Sequence, residues 1–138
     1  MDKLKNILLI DDDKVTNFIN KSFIDALEIS EQVLTFQNGL EAINFFKDPE
    51  KDIKVDLVFL DLNMPVMNGY QFMKEYHQIE QHNVNPVFVA FISENTERPA
   101  EEIAAELGVQ EYISKPITIE KITSICKKHF NLSLIKKD

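Results

Sequence analysis

The chain of 138 residues has the length of one domain, and 44% hydrophobic with 28% charged residues is a composition typical of globular proteins. Its formal net charge is −8 and Arg98 is its only arginine, so it lacks the basic surface that nucleic-acid binding requires. Cys126 is its only cysteine, which excludes an internal disulfide, and no apolar run approaches the roughly 20 residues of a membrane span. We therefore expect a cytoplasmic protein with neither a membrane nor a nucleic-acid partner.

Apolar runs alternate with helical patterns and predict five strand–helix units. The strands are predicted, in chain order, at residues 7–10, 33–36, 55–60, 86–92 and 109–114. The first, third and fourth runs are continuously apolar, which is typical of strands covered on both faces. This pattern predicts the α/β class, with a single-domain, doubly wound parallel sheet and helices on both sides.

Particular residues refine these predicted helices. Asp13 is placed to cap the start of the first helix, and Gly108 to end the fourth in the left-handed conformation. Apolar residues recur at helical spacing in the first helix, and Phe18 and Phe23 are predicted to lie in or near the core. Cys126 is predicted to be inert on the apolar side of the last helix. The three histidines are predicted to be exposed rather than metal ligands; they are His77, His82 and His129.

Polar side chains follow four of the five predicted strands. Asp11 and Asp12 follow the first strand, Asp61 the third, Ser93 the fourth and Lys115 the fifth. Because ligands of open α/β sheets bind at the carboxyl ends of the strands, these groups are expected to converge. Crowded carboxylates repel one another, and oxygen ligands favour Mg²⁺ or Mn²⁺ over zinc. A lysine and a hydroxyl beside such a cation indicate phosphoryl chemistry, in which an aspartate can act as nucleophile.

In these motifs the sequence resembles the response regulator receiver domains of two-component phosphorelays. The motifs are ILLIDDD at 7–13, LVFLDLNMP at 57–65 with Asn68-Gly69, Ser93 after the fourth strand, and YISKP at 112–116. Their joint order, each motif closing the expected strand, is specific to this family. The resemblance implies a flavodoxin-like fold with strand order 2-1-3-4-5 and five helices. Residues 1–138 would form one receiver domain, with its core at about 5–130 and a short tail at 131–138.

The resemblance also implies a role for each residue of the site. Asp61 would be the phosphoacceptor. Asp12, Asp61 and the backbone carbonyl of Asn63 would bind Mg²⁺ directly, and Asp11 would act through water. Lys115 would pair with the phosphoryl group, and the Lys115-Pro116 peptide would be cis, a form that proline makes accessible.

Ser93 and Tyr112 would form the switch of such a domain. The hydroxyl of Ser93 would move toward the phosphoryl group, and the ring of Tyr112 would fill the space that it leaves. The output surface would comprise the fourth helix, the fifth strand and the fifth helix. One residue departs from the family pattern, because Glu94 stands where a small residue usually follows the switch hydroxyl. Its carboxylate is expected to affect the approach of a phosphodonor or of a hydrolytic water.

The expected function is that of a stand-alone response regulator, since only residues 131–138 follow the last helix. It would take a phosphoryl group from a phosphohistidine on a sensor histidine kinase or a histidine phosphotransfer protein. It would signal by contact with a protein target that the sequence does not identify, and homodimerisation on phosphorylation is left open. We do not expect an enzyme in the usual sense, because the domain would catalyse only its own phosphorylation and dephosphorylation.

Two other functions stay open. Residues 11–15, DDDKV, fit the opening motif of haloacid-dehalogenase-like phosphatases, in which Asp11 would be the nucleophile and Asp13 the acid/base. That interpretation lacks a late acidic pair after the fourth strand. The second alternative is a pseudo-receiver, a binding module that keeps the fold and is never phosphorylated; Glu94 is its main support.

Overall fold

The structure is a computed structural model that describes residues 3–48, 50, 53–79, 85–93 and 96–132. Within these ranges, five strands alternate with five helices along the chain. The strands are β1 (Leu4–Ile10), β2 (Ser30–Phe36), β3 (Leu57–Leu60), β4 (Val87–Phe91) and β5 (Glu111–Ile113). The helices are α1 (Lys14–Leu27), α2 (Gly39–Lys47), α3 (Gly69–His77), α4 (Ala100–Leu107) and α5 (Ile119–Phe130).

The five strands form one parallel sheet in the order β2-β1-β3-β4-β5, which confirms the predicted α/β fold. The order reverses beside β1, so the carboxyl ends of β1 and β3 flank the crevice where ligands of such sheets bind. Three strands are shorter than predicted, and β2 begins at Ser30 rather than at Val33. Residue Asp56, predicted as strand, lies before β3 and links its neighbours instead: its N–H donates to Asn6 and its carbonyl accepts from Val87.

Two apolar clusters cover the two faces of the sheet. Along β3, Val58 and Leu60 pack toward α2, α3 and α4, whereas Leu57 and Phe59 pack toward α1 and α5. This alternation is the period of two that strand geometry imposes. All four side chains of β3 are fully buried, and each such burial is worth about 1.5–3 kcal/mol. The core therefore fixes the position of β3, whose carboxyl end carries Asp61.

Helix termini follow the predicted signals. The side chain of Asp13 accepts hydrogen bonds from the N–H groups of Val15 and Thr16, at 2.9 and 3.3 Å, and caps α1. Gly108 ends α4 with a φ of 73°, in the left-handed region. Both predictions are confirmed. No helix of the described segments is long and apolar enough to cross a bilayer.

Helix α1 turns a different face to the sheet from the one its apolar spacing indicates. Phe18 is 70% exposed, so the prediction that it lies in or near the core is wrong. Val15 and Ile19 are exposed as well, while Asn17 and Ile24 are buried. The side-chain amide of Asn17 donates to the carbonyl oxygens of Asp11 and Phe36 and anchors this polar face on the sheet, so the apolar side chains of the first two turns lie in solvent.

Two glycines hold the loop after β3 close to its neighbours. The N–H of Gly39 donates to the carbonyl of Met67 at 2.8 Å, and a Cβ on Gly39 would lie 2.7 Å from that oxygen. A Cβ on Gly69 would lie 2.6 Å from the carbonyl oxygen of Asp61. Only glycine permits both approaches, so these two residues fix the loop beside Asp61.

The same loop contains a strained turn at Val66. Its φ is 68°, and the N–H of Met67 donates back to the carbonyl of Pro65 at 2.7 Å. A three-residue hydrogen-bonded turn with positive φ is the rare, strained form of the γ-turn, and a β-branched residue is poorly suited to it. Val66 is also 73% exposed, so little burial offsets this strain.

Candidate functional site

Three carboxylates meet at the carboxyl ends of β1 and β3. Asp11 and Asp12 follow β1, Asp61 follows β3, and one oxygen from each lies within 4.8 Å of the others. The backbone sets this arrangement, because the N–H of Asp61 donates to the carbonyl of Ile10 at 2.9 Å. The structure thus brings together the three carboxylates that the sequence places at this edge.

Asp11 is the buried member of this group, at 2% exposure. Its Oδ1 accepts the N–H of Asp13 at 2.9 Å, and its Oδ2 accepts the Nζ of Lys115 at 2.8 Å. The side-chain amide of Asn17 donates to the carbonyl oxygen of Asp11 at 2.9 Å. Since both of its oxygens already have donors, Asp11 is held in a fixed orientation.

Lys115 reaches into the group from the end of β5. Its ammonium lies 3.7 Å from Oδ2 of Asp61, in addition to its bond to Asp11, and 5.4 Å from the ring centroid of Phe91. Burial lowers the pKa of Lys115, but its hydrogen bond to Asp11 and the attraction of Asp61 outweigh this effect, so the pKa is raised. Lys115 is therefore a cation at neutral pH. Its peptide bond to Pro116 is cis.

Asp61 is the carboxylate of the group that lines the open cleft. Its pKa is raised, first by burial and then by the negative charge of Asp11, and Lys115 offsets these effects only in part. The group therefore carries more negative charge than one lysine neutralises. Three carboxylate oxygens within 4.8 Å of one another, with no histidine or cysteine in this described cluster, fit a hard divalent cation such as Mg²⁺.

A cleft of about 530 Å³ opens above Asp61. Its lining residues come from the ends of β3, β4 and β5: Asp61, Asn63, Phe91, Ile92, Ser93, Ser114 and Lys115. Asn63 and Ser93 thus lie where the sequence places them, on the walls of one cavity with Asp61 and Lys115. The cavity is large enough for a phosphoryl group and the end of a donor side chain.

Tyr112, His77 and His129 are not among the residues that line this cleft. The hydroxyl of Tyr112 donates to Oε1 of Glu101 on α4 at 2.6 Å, and this bond raises the pKa of the phenol. Nε2 of His77 lies 3.0 Å from the carbonyl oxygen of Leu107, and Nε2 of His129 lies 3.2 Å from Glu111. Glu94 and His82 lie outside the described residues.

Two residues near the site were missed by sequence reasoning. Phe91 is at the end of a continuously apolar strand and is indistinguishable in sequence from a core residue. Asn17 is buried, and its side-chain amide donates to the carbonyl oxygens of Asp11 and Phe36. Among the described residues, its Oδ1 is the buried side-chain polar atom that has no hydrogen-bond partner. In the sequence Asn17 stands between Thr16 and Phe18, and no local pattern identifies it as a buried residue.

Comparison with known proteins matches residues 7–127 to the response regulator receiver domain family. Two-component response regulator 24 of Arabidopsis thaliana is 28% identical over 121 residues, which are 88% of this chain and 81% of that protein. Six other curated relatives are longer proteins, of which the chain spans between 6% and 51%.

Solved structures agree with this match. A two-component response regulator from Cytophaga hutchinsonii superposes with a TM-score of 0.78 at 26% identity, over 95% of this chain and 100% of that one. The receiver domain of the Pseudomonas aeruginosa sensor kinase PA1611, solved with magnesium in its active-site cleft, gives 0.73 at 18% identity, over 94% and 99%. The Saccharomyces cerevisiae receiver domain of Ssk1, solved with the histidine phosphotransfer protein Ypd1, gives 0.71 at 21%, over 97% and 98%. From the match over residues 7–127, the chain belongs to the response regulator receiver domain family.

Proposed function

We propose that this domain is a phosphorylation-dependent switch that accepts a phosphoryl group on Asp61 from a phosphohistidine. The observation that carries the proposal is the convergence of Asp11, Asp12 and Asp61 with Lys115 around one cleft. The donor would be a histidine kinase or a histidine phosphotransfer protein, as the complex of the Ssk1 receiver with Ypd1 suggests by analogy. The downstream protein target and homodimerisation on phosphorylation stay predictions.

Asp61 is better placed than Asp11 to be the nucleophile. Both oxygens of Asp11 accept hydrogen bonds, and the residue is 2% exposed. Asp61 faces the cleft with a side chain that is 13% exposed. This difference disfavours the phosphatase alternative, in which Asp11 would attack the substrate.

Asp12, Asp61 and the backbone carbonyl of Asn63 that the family resemblance implies would hold a magnesium ion directly, and Asp11 would act through water. Mn²⁺ has the same oxygen preference and is the second candidate. When bound, such a cation neutralises the carboxylates and the charge that develops on the transferred phosphoryl group. The magnesium in the PA1611 receiver supports this assignment by analogy.

In the proposed transfer, an oxygen of Asp61 attacks phosphorus, the phosphorus–nitrogen bond of the donor phosphohistidine breaks, and the imidazole leaves. Lys115, 3.7 Å from Asp61, would pair with one phosphoryl oxygen, and the hydroxyl of Ser93 would donate to another. The domain would thus catalyse its own phosphorylation, and hydrolysis of the acyl phosphate would reset it.

The hydrogen bond between Tyr112 and Glu101 is a contact that phosphorylation could break to change the output surface. In the unphosphorylated structure it ties β5 to α4 at 2.6 Å. Phosphorylation replaces the single negative charge of the Asp61 carboxylate with a phosphoryl group that carries about −1.5 to −2. We propose that Ser93 then moves toward the phosphoryl group, and that Tyr112 leaves Glu101 to fill the space. The surface of α4, β5 and α5 would change, and a protein partner would read that change.

Acetyl phosphate with Mg²⁺ tests the assignment on wild type and Asp61→Asn. We expect a phosphate-sized gain in intact mass in the wild type and none in the variant, since an amide cannot form the acyl phosphate. An equal gain in both would move the nucleophile to another residue. Many turnovers of p-nitrophenyl phosphate would instead support the phosphatase, and a wild type that binds Mg²⁺ without gaining mass would support the pseudo-receiver.

A further inference from the structure

Lys121 contacts the backbone on both sides of Lys115. Its ammonium donates to the carbonyl oxygens of Ser114 at 2.7 Å and of Pro116 at 3.0 Å, and lies 3.3 Å from the hydroxyl of Ser114. The backbone N–H of Lys121 also donates to Oγ1 of Thr118, the residue that caps α5. Lys121, in the first turn of α5, is thus hydrogen-bonded to Ser114, Pro116 and Thr118, which flank and follow Lys115.

This segment lies beyond the end of the sheet. β5 has three residues and lies at the edge of the sheet, where its described pairing is with β4. Its last ladder bond runs from the N–H of Ile92 to the carbonyl of Ile113, directly before Ser114. Backbone carbonyls that leave a sheet need donors from elsewhere, and a charged donor makes the stronger bond. The ammonium of Lys121 provides these bonds for Ser114 and Pro116.

The position of the segment decides where the ammonium of Lys115 lies. That ammonium must cross from the sheet edge to within 2.8 Å of Asp11 and 3.7 Å of Asp61. A flexible four-carbon side chain reaches a defined point only if its backbone is held. Misplacing a charged group by about 1 Å can slow an enzymatic step by about 100-fold.

We infer that Lys121 is a positioning residue for phosphoryl transfer, which holds Lys115 in place by bonding the carbonyl groups on either side of it. The inference rests on the proposed function, in which Lys115 pairs with the incoming phosphoryl group. Lys121 itself would touch neither the phosphoryl group nor the cation.

Three variants separate this role from a general loss of charge or stability. Lys121→Met keeps the length of the side chain and removes its donors. Lys127→Met removes an exposed lysine from the same helix and is the matched control. Lys121→Cys alkylated with 2-bromoethylamine rebuilds an ammonium at the length of lysine. Wild type treated with the same reagent controls for Cys126, which is buried.

Two measurements are made on each protein. The first is the rate of phosphorylation by acetyl phosphate in Mg²⁺, with the Mg²⁺ affinity determined separately by calorimetry. The second needs no phosphodonor: it is the ¹H–¹⁵N correlation of the Lys115 ammonium in lysine-labelled protein, assigned with Lys115→Arg. This spectrum distinguishes a failure of the inference from a failure of the proposed function.

We expect Lys121→Met to be phosphorylated at least about 10-fold more slowly than wild type, with the Lys115 signal shifted and the Mg²⁺ affinity unchanged within twofold. Aminoethylated Lys121→Cys should regain the rate and the signal, and Lys127→Met should match wild type. The inference would be overturned if the Lys115 signal is unchanged in Lys121→Met. It would also be overturned if aminoethylated Lys121→Cys regains neither the phosphorylation rate nor the Lys115 signal. If the wild type is not phosphorylated but the Lys115 signal of Lys121→Met is still shifted from that of wild type, the proposed function is overturned. The positioning contact is then left intact.

Discussion

Removing the charge of Asp61 should stabilise the domain when no divalent cation is bound. Three carboxylates lie within 4.8 Å of one another, and Lys115 lies 3.7 Å from Asp61. Asp61→Asn keeps the shape of the side chain and removes its repulsion from Asp11 and Asp12. The gain in stability would therefore come from relieving charge at the site rather than from new packing.

The distances give the size of the effect. At an effective dielectric constant of about 20, two like charges at 4.8 Å, the upper limit of these separations, repel by about 3.5 kcal/mol, so the two neighbouring carboxylates cost about 7 kcal/mol. The attraction of the Lys115 ammonium, 3.7 Å from Asp61, offsets about 4.5 kcal/mol of this repulsion. Salt screening reduces the remainder, and we expect Asp61→Asn to raise the free energy of unfolding by about 2 kcal/mol, or the midpoint of thermal unfolding by about 8 °C.

The gain has a defined dependence on pH. Because the pKa of Asp61 is raised above its ordinary value of 3.8, the folded wild type binds this proton more tightly than the unfolded chain does. The wild type therefore loses stability as the pH rises through the raised pKa, and the asparagine variant does not. The advantage of Asp61→Asn should be full at pH 7 and should shrink toward pH 4.

Thermal unfolding followed by circular dichroism in EDTA, at pH 7 and at pH 4.5, measures both expectations. Asp25→Asn, which removes a carboxylate from an exposed pair with Lys21, is the control and should change stability by no more than about 0.5 kcal/mol. Saturating Mg²⁺ should reverse the order, since the wild type gains more binding energy. A variant no more stable than wild type in EDTA at pH 7 would refute the electrostatic reasoning.

Three further predictions concern the loop after β3 and the core. Val66→Gly should stabilise the domain by about 0.5–1 kcal/mol in urea unfolding, because relief of the left-handed strain exceeds the added flexibility of the unfolded chain; a loss of stability would contradict this. Gly69→Ala should cost at least about 2 kcal/mol and slow phosphorylation, since its Cβ would lie 2.6 Å from the carbonyl oxygen of Asp61; an unchanged midpoint would show that the loop yields. Cys126 should not react with Ellman's reagent in the native state, because burial raises its pKa to about 11, and should react fully in urea; rapid native reaction would contradict its burial.

The fold and the composition of the site could be predicted because both follow from simple rules. Continuous apolar runs alternating with helical patterns define a parallel sheet, and the ends of parallel strands share one edge. Asp11, Asp61 and Lys115 therefore had to lie near one another wherever the helices pack. The end of β5 was overestimated, since residues up to Ser114 look like a strand although the segment already turns away.

The rest depended on rotations and side-chain directions that the sequence does not encode locally. The spacing of Val15, Phe18 and Ile19 predicts an apolar helix face, but not whether that face meets the sheet or the solvent. The hydrogen bond from Tyr112 to Glu101 depends on the distance between β5 and α4, which is a property of the assembled fold. Periodicity gives the faces of an element, and tertiary packing decides which face is used.

The contact between Lys115 and Asp11 joins positions 104 residues apart. β3 and β4 lie between β1 and β5 in the sheet, so this contact forms only when both are in place, and contacts of this range slow folding. During synthesis the ribosome releases Asp11, Asp12 and Asp61 long before Lys115, so a nascent chain carries the acidic groups without their counter-charge. The proposed phosphoryl transfer consequently requires that β5 and Lys115 have been synthesised, and a truncated product that ends before β5 would have no lysine to complete the cleft.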